Sequence, residues 1–473
     1  MILVVSIAYN LEYFHNMINN KNISKFFFLF LFTHLVLWTL IPFLSNVNLP
    51  LDTIEALAWG SKLDWGFEKH PPLSAVAAQF FYLIFGSSDF AYYFLSQLFV
   101  IISFIFVFKF SLEILRDKTL AFLSLLVLES IYFYNFTSPE FNVNVSQLPF
   151  WALTIFYFWK SIKENKLINW ALFGIFSALG FLSKYLFIYI LLALFLFVII
   201  DFKNSKKFVK NYFLSIIISL IIIAPHFLWL YQNEFVTILY ALKRSSLIEV
   251  GFLDHLIHPI KFLIKQFVIL IPFFLMFVLI LKKYQFKIEL KNKNTLFLIV
   301  ISAVPFVLMM FTSIITGANI RTMWMTPFYL FLGTLFFHIL RKNIDYKKIK
   351  KFYILFLFFF FLSPSLYLAV SVIDETKRTD YPGKEISRLV QNKWDDNFVN
   401  EIKIVIGDEW SAGNLSYHLK SRPIWINVLG KKITEIKDNQ GVIYTGNPNI
   451  LKKICPGVFG TIKPVGYCMI GKK

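Results

Sequence analysis

Residues 49–73, LPLDTIEALAWGSKLDWGFEKHPPL, form a polar, acid-bearing stretch in a chain that is otherwise largely apolar from residue 25 to residue 373. They place Asp52, Glu55, Asp64, Glu68, Lys69 and His70 among Trp59, Trp65 and Phe67, and run into Pro71-Pro72. A loop that only joins two membrane helices needs no such set. Ionisable groups gathered at one face of a bilayer mark a place where chemistry or transport occurs.

Outside this stretch, composition settles the class. Of 473 residues, 57% are hydrophobic and 16% charged, against about 25% charged in a soluble domain. The chain therefore reads as an integral membrane protein. Its net charge of +19 does not point to nucleic acid, because the basic residues cluster between apolar runs, where they set topology. Residues 1–6 are apolar with no basic segment before them, so no cleavable signal is expected and the first span should direct insertion.

Apolar runs at 25–44, 90–112, 119–136, 145–162, 169–183, 185–200, 211–230, 262–281, 295–315, 323–340 and 352–373 predict a mainly α, polytopic bundle of about eleven transmembrane helices. Residues 73–85 are too short to cross and begin after Pro71-Pro72, which predicts an interfacial or re-entrant helix. Residues 169–200 would make a helix of about 48 Å, longer than a bilayer core, and are interrupted at Ser183-Lys184-Tyr185. Two short legs fit better. Clusters such as Lys282, Lys283, Lys291 and Lys293, or Arg341, Lys342, Lys347 and Lys348, put the N-terminus inside and the C-terminal tail outside.

Residues 1–373 thus form a membrane domain, and 374–473 a small α/β domain expected on the periplasmic side. In the latter, 403–407, 423–428 and 441–445 read as strands, and 384–391 and 412–420 as helices. Cys455 and Cys468 are the two cysteines. If the tail lies outside the cytosol they can pair; otherwise they are unrelated thiols.

Each outward loop of the first half carries polar groups: Asp52 in the first, Ser138-Pro139-Glu140 in the second, Lys184-Tyr185 in the third. Glu234, Lys243, Arg244, Glu249, Asp254 and His255 lie in the fourth, and Arg321 and Trp324 open the span at 323–340. Structural roles compete with functional ones. Asp52 and Glu55 have the spacing of a capping box, Ser138-Pro139-Glu140 that of a helix start, and Lys184 can snorkel to the interface. The chemistry that would use the whole set is glycosyl transfer from a lipid-phosphate sugar. A carboxylate takes the acceptor proton, and cations hold a phosphate that is already a stable leaving group.

The motifs D-x-x-E-A-x-A-W-G and G-F-x-K-H-P-P-L in residues 52–73 resemble the first-loop signature of GT-C fold glycosyltransferases. The nearest branch is the bacterial one related to protein mannosyltransferases and the aminoarabinose transferase. SPEFNVN with PFWAL at 138–153, the S-K-Y at 183–185 and the Arg321, Trp324, Pro327 segment agree with it. The resemblance implies an inverting transferase that uses a polyprenyl-phosphate sugar at its outward face. Its acceptor would be an envelope lipid, glycan or protein.

The resemblance also implies roles for individual residues. Asp52 corresponds to the family's first-loop catalytic aspartate, Glu140 to the second-loop acid and Lys184 to a lysine near the donor phosphate. Lys69, Arg244 and Arg321 are further phosphate candidates, and Glu55, His70 and Tyr185 candidate substrate contacts. Some relatives use a divalent ion such as Mg or Mn; this sequence shows no ligand spacing for one. The main rival is a lipid-linked-sugar flippase, which would favour midplane charges and repeated halves. A polysaccharide polymerase or ligase would instead place its key residues in a large late loop.

Overall fold

The computed structural model describes residues 22–201, 206–245, 250–283, 285, 288–374, 376–427, 441–463 and 465–473. Its membrane part runs through α1 (Ile23–Ser45), α2 (Leu51–Gly60), α3 (Leu73–Phe85), α4 (Asp89–Leu115), α5 (Lys118–Leu126), the single turn α6 (Val143–Ser146), α7 (Leu148–Glu164) and α8 (Leu167–Ser183). It continues through α9 (Ile188–Ile200), α10 (Val209–Gln232), α11 (Val236–Arg244), α12 (Asp254–Val278), α13 (Lys293–Thr316), α14 (Leu332–Leu340) and α15 (Ile349–Ile373). Six of these helices, α1, α4, α10, α12, α13 and α15, are long and apolar enough to cross a membrane. The protein is a multi-span membrane protein.

The 3-10 turn Thr322–Tyr329 with the helical segment Leu332–Asn343 makes a seventh crossing if that pair, bent by 51°, is one span. The other expected spans fall on shorter pieces: α5 with its 3-10 continuation, α7, α8 and α9. Among the described residues, helix length by itself supports six or seven crossings, and the eleven expected are not confirmed. At residues 119–136 the reason is visible, because Glu129 sits in a 3-10 turn with its carboxylate 2.6 Å from His34 Nδ1 on α1. A buried acid needs a partner, and here the backbone loosens where it finds one.

The break at Ser183-Lys184-Tyr185 is as expected: Lys184 is extended (φ −164°, ψ 135°) between α8 and α9. The two legs splay, with α8 packing on α7 and α10, and α9 on α13. Residues 73–85 form the short helix α3, which packs on α2.

After α15 come α16 (Gly383–Asp395), β1 (Ile404–Ile406), α17 (Ser411–His418), β2 (Ile424–Ile426), β3 (Val442–Gly446), α18 (Pro448–Ile454), β4 (Val458–Ile462) and β5 (Val465–Ile470). The expected strand 423–428 appears as β2, with Val428 outside the described residues. The sheet order is β2-β1-β3-β5-β4, with β1 parallel to β2 and β3, and β5 antiparallel to β3 and β4. Strands β4 and β5, which contain Gly460 and Gly466, lie outside the strands expected from the residue pattern. Cys455, after α18, is bonded to Cys468 on β5.

This domain has its own core of Ile386, Val390, Trp394, Val405, Leu415 and Ile443, yet it is seated on the membrane part. Gly413 of α17 lies against α2 so closely that a Cβ there would meet Ile54 Cγ2 at 3.1 Å. Arg422 Nη2 donates to Leu57 O at the C-terminal half of α2 (2.5 Å) and to Gln79 Oε1 on α3 (3.2 Å), and its guanidinium lies over the Tyr82 ring. The Trp425 N–H donates to Ser61 Oγ, Asn48 Nδ2 to Asn414 Oδ1, and Tyr417 OH to Asp89 Oδ1. The first-loop helix is clamped from above.

Candidate active site

The start of α2 organises the site. Its N-cap is Pro50, and Asp52 lies in the first turn. The capping box expected of Asp52 and Glu55 does not form, because Pro50 starts the helix two residues earlier. The Asp52 N–H donates instead to Glu140 Oε1 of the second loop (3.1 Å). Free N–H groups of a first turn must find an acceptor, and an acid is favoured there. Glu140 supplies that service from elsewhere in the chain, so the Asp52 carboxylate is not used as a cap. Thr53 Oγ1 donates to Phe141 O (3.2 Å), fixing the same turn.

The second loop also differs from its expected form. Ser138-Pro139-Glu140 does not begin a helix; Asn142 does, its Oδ1 accepting from the N–H groups of Asn144 and Val145. Ser138 Oγ donates to Asn135 O and accepts from Gln97 Nε2. Asn144 then holds the next functional group: Lys184 Nζ donates to Asn144 Oδ1 at 2.5 Å and lies 5.4 Å from the Trp324 ring centre. Lys184 is 6% exposed. It is therefore not snorkelling outward.

Asp52, Glu55, Trp59, His70, Ser74, Asn142 and Val143 line a narrow cleft. The buried Ser74 hydroxyl at its wall has no hydrogen-bond partner among the described residues. Burial raises the Asp52 carboxyl, and the cations Lys69, Lys184, Arg244 and Arg378 oppose that rise. Burial and then the Asp52 charge push Glu140 up to about 8. Burial lowers the Lys184 ammonium to about 7, against the pull of Asp52. Burial and the surrounding cations Lys184, Lys69 and Arg244 lower His70 to about 3, so the ring is neutral at physiological pH. Two poorly solvated acids thus lie together, with four cations in electrostatic reach of Asp52.

Lys69 is more engaged than its sequence position implies. Its Nζ lies 2.6 Å from Glu55 Oε2 and 3.1 Å from Glu409 Oε1 of the C-terminal domain. Burial disfavours the ammonium, but the two carboxylates outweigh it and hold Lys69 above its ordinary value. Burial pushes Glu55, 7% exposed, up to about 8 despite Lys69.

Tyr185 supports the first loop. Its hydroxyl meets His226 Nε2 (2.7 Å), and His226 Nδ1 meets Trp65 O (2.6 Å). Gly66 sits so close to the Trp229 ring that a side chain there would overlap it. Arg244, at the end of α11, is exposed but within electrostatic reach of Asp52 and His70. The exposed Arg321 precedes the turn that carries Trp324.

Two contributors, Arg378 and Glu409, come from the C-terminal region and were missed. No sequence signal ties a residue past 374 to a loop at 52–70. Glu249 lies outside the described residues.

Residues 69–229 match the family model described as dolichyl-phosphate-mannose-protein mannosyltransferase. No curated protein matches the chain by sequence. In structure it is similar to ArnT from Cupriavidus metallidurans bound to undecaprenyl phosphate, with a TM-score of 0.64 at 12% identity over 94% of this chain and 98% of that one. The apo state of the same protein gives 0.60 at 11% identity with the same coverage. The chain has the GT-C fold.

Within that fold the matched segment includes Lys69, His70, Glu140, Lys184 and Tyr185, while Asp52, Arg244 and Arg321 lie outside it. Asp52 is placed in the site by geometry. Among the described residues no group of three or more His, Cys, Asp or Glu side chains is arranged to hold a metal ion.

Proposed function

We propose that the protein is a membrane glycosyltransferase that moves a sugar, with inversion, from a polyprenyl-phosphate donor to an acceptor hydroxyl on an envelope lipid, glycan or protein. The observation that carries this reading is the Asp52 carboxylate, freed from capping by Glu140, within electrostatic reach of Lys69, Lys184, Arg244 and Arg378. The fold is shared with a protein whose structure holds undecaprenyl phosphate.

Asp52 takes the proton of the acceptor hydroxyl as its oxygen attacks the anomeric carbon. The bond from that carbon to the phosphate oxygen breaks, and its electron pair stays on the phosphate. Lys184 and Arg244 stabilise the charge that gathers there. Glu140 positions Asp52 through the backbone of α2. The C-terminal domain lies on the outward side, in keeping with the basic loops facing the cytosol and with its disulfide, a bond of oxidising compartments.

The test is mass spectrometry of envelope lipids and glycans from a deletion strain complemented with wild type or Asp52→Asn. The expected outcome is a sugar-sized mass increment with wild type that is reduced at least about 100-fold in the variant, which is produced in a folded state. Equal product from both would remove Asp52 from the chemistry. Accumulation of lipid-linked sugar in the deletion strain, relieved equally by both versions, would indicate transport instead.

A further inference from the structure

The C-terminal domain enters the cleft through one turn. After β1, Gly407 O accepts from Trp425 Nε1 (3.1 Å), and Asp408 Oδ1 accepts from the N–H groups of Trp410 (2.9 Å) and Ser411 (2.7 Å), capping α17. Glu409 is the tip of this anchored turn. Its Oε1 stands 3.1 Å from Lys69 Nζ, while Glu55 Oε2 closes on the same nitrogen at 2.6 Å. Asp52 lies near this pair on α2, and Tyr240 and Arg244 face it from α11.

One ammonium is therefore shared by two carboxylates from two domains. Glu409 brings a further acid to Lys69, a phosphate candidate of the first-loop motif, and so adds negative charge beside any phosphate held there. Because the Glu409 backbone is held by the Asp408 cap and by Trp425, its side chain can leave or return to Lys69 without unfolding either domain.

We infer that Glu409 sets the charge preference of the lipid-phosphate subsite at Lys69, admitting the singly charged phosphodiester donor and expelling the more highly charged phosphomonoester product. The inference rests on the glycosyl-transfer reading above. In that step the donor diester, with one negative charge, becomes a monoester with a charge of about −1.5 to −2 near neutral pH. A fixed carboxylate a few ångströms away in a partly dry cleft repels the second charge in addition to the first. Glu409 is a positioning and selectivity residue and takes no proton in the transfer itself. The C-terminal domain thereby becomes part of the site.

The experiment is equilibrium binding of undecaprenyl phosphate and of a polyprenyl-phosphate hexose to the full chain in nanodiscs, for wild type, Glu409→Gln and Glu409→Asp. Glu409→Gln should bind the monoester about fivefold more tightly and the diester about twofold more tightly or less. Glu409→Asp should follow wild type. In turnover, Glu409→Gln should show deeper inhibition by product.

A merely structural Glu409 would weaken both lipids in parallel and leave their ratio unchanged. That result, or an unchanged monoester affinity, overturns the inference. If wild type binds neither lipid more tightly than neutral polyprenol, the lipid-phosphate reading of the site falls and takes this inference with it.

Discussion

Asp52 and Lys184 are opposite charges in a poorly solvated cleft, and each is displaced toward neutrality by burial. This fixes the sign of the pH dependence. Asp52 must be ionised to accept a proton, so transfer is lost as pH falls through its pKa, which burial raises above that of a free aspartate. Lys184 must be charged to stabilise phosphate, so transfer is also lost as pH rises past about 7. The rate profile should be bell-shaped. Lys184→Arg, whose guanidinium stays protonated, should lift the alkaline limb by a unit or more wherever it retains activity. Initial rates against pH for the two proteins check this, and an unmoved alkaline limb would assign that limb to another group.

The first turn of α2 depends on an acceptor brought from the second loop. Glu140→Gln keeps an oxygen for the Asp52 N–H, whereas Glu140→Ala leaves that N–H without it. Loss of a helix cap costs about 1 kcal/mol, so Glu140→Ala should lower thermal stability measurably and Glu140→Gln should not. Both should slow transfer if Glu140 also acts on the acceptor. If its role is confined to holding α2, only Glu140→Ala should be slow. Thermal unfolding and initial rates on the same preparations separate the two. The capping-box reading of Asp52 and Glu55 failed for a related reason: spacing reveals which side chains can cap, but not that a distant carboxylate already occupies the N–H.

The seating of the C-terminal domain on α2 and α3 links the whole molecule to its site. Arg422 is the main clasp, donating to Leu57 O and Gln79 and lying over Tyr82. Hydrogen bonds from a charged donor contribute about 1.5–3 kcal/mol each. Arg422→Ala should therefore make residues beyond 374 more sensitive to limited proteolysis and reduce transfer, while the membrane helices resist as before. Unchanged proteolysis would show that the remaining contacts hold the domain alone.

Much of this was readable along the chain. The membrane class, the break at Lys184 and the short helix after Pro71-Pro72 all follow from hydropathy, proline chemistry and the position of charge within an apolar run. These are local properties, carried by neighbours in sequence. The trans cap from Glu140, the Asn144 partner of Lys184, the pairing of Glu129 with His34 and the entry of Arg378 and Glu409 join residues tens to hundreds of positions apart. Such contacts arise only when packing brings their helices together, and a linear pattern leaves no periodicity to mark them.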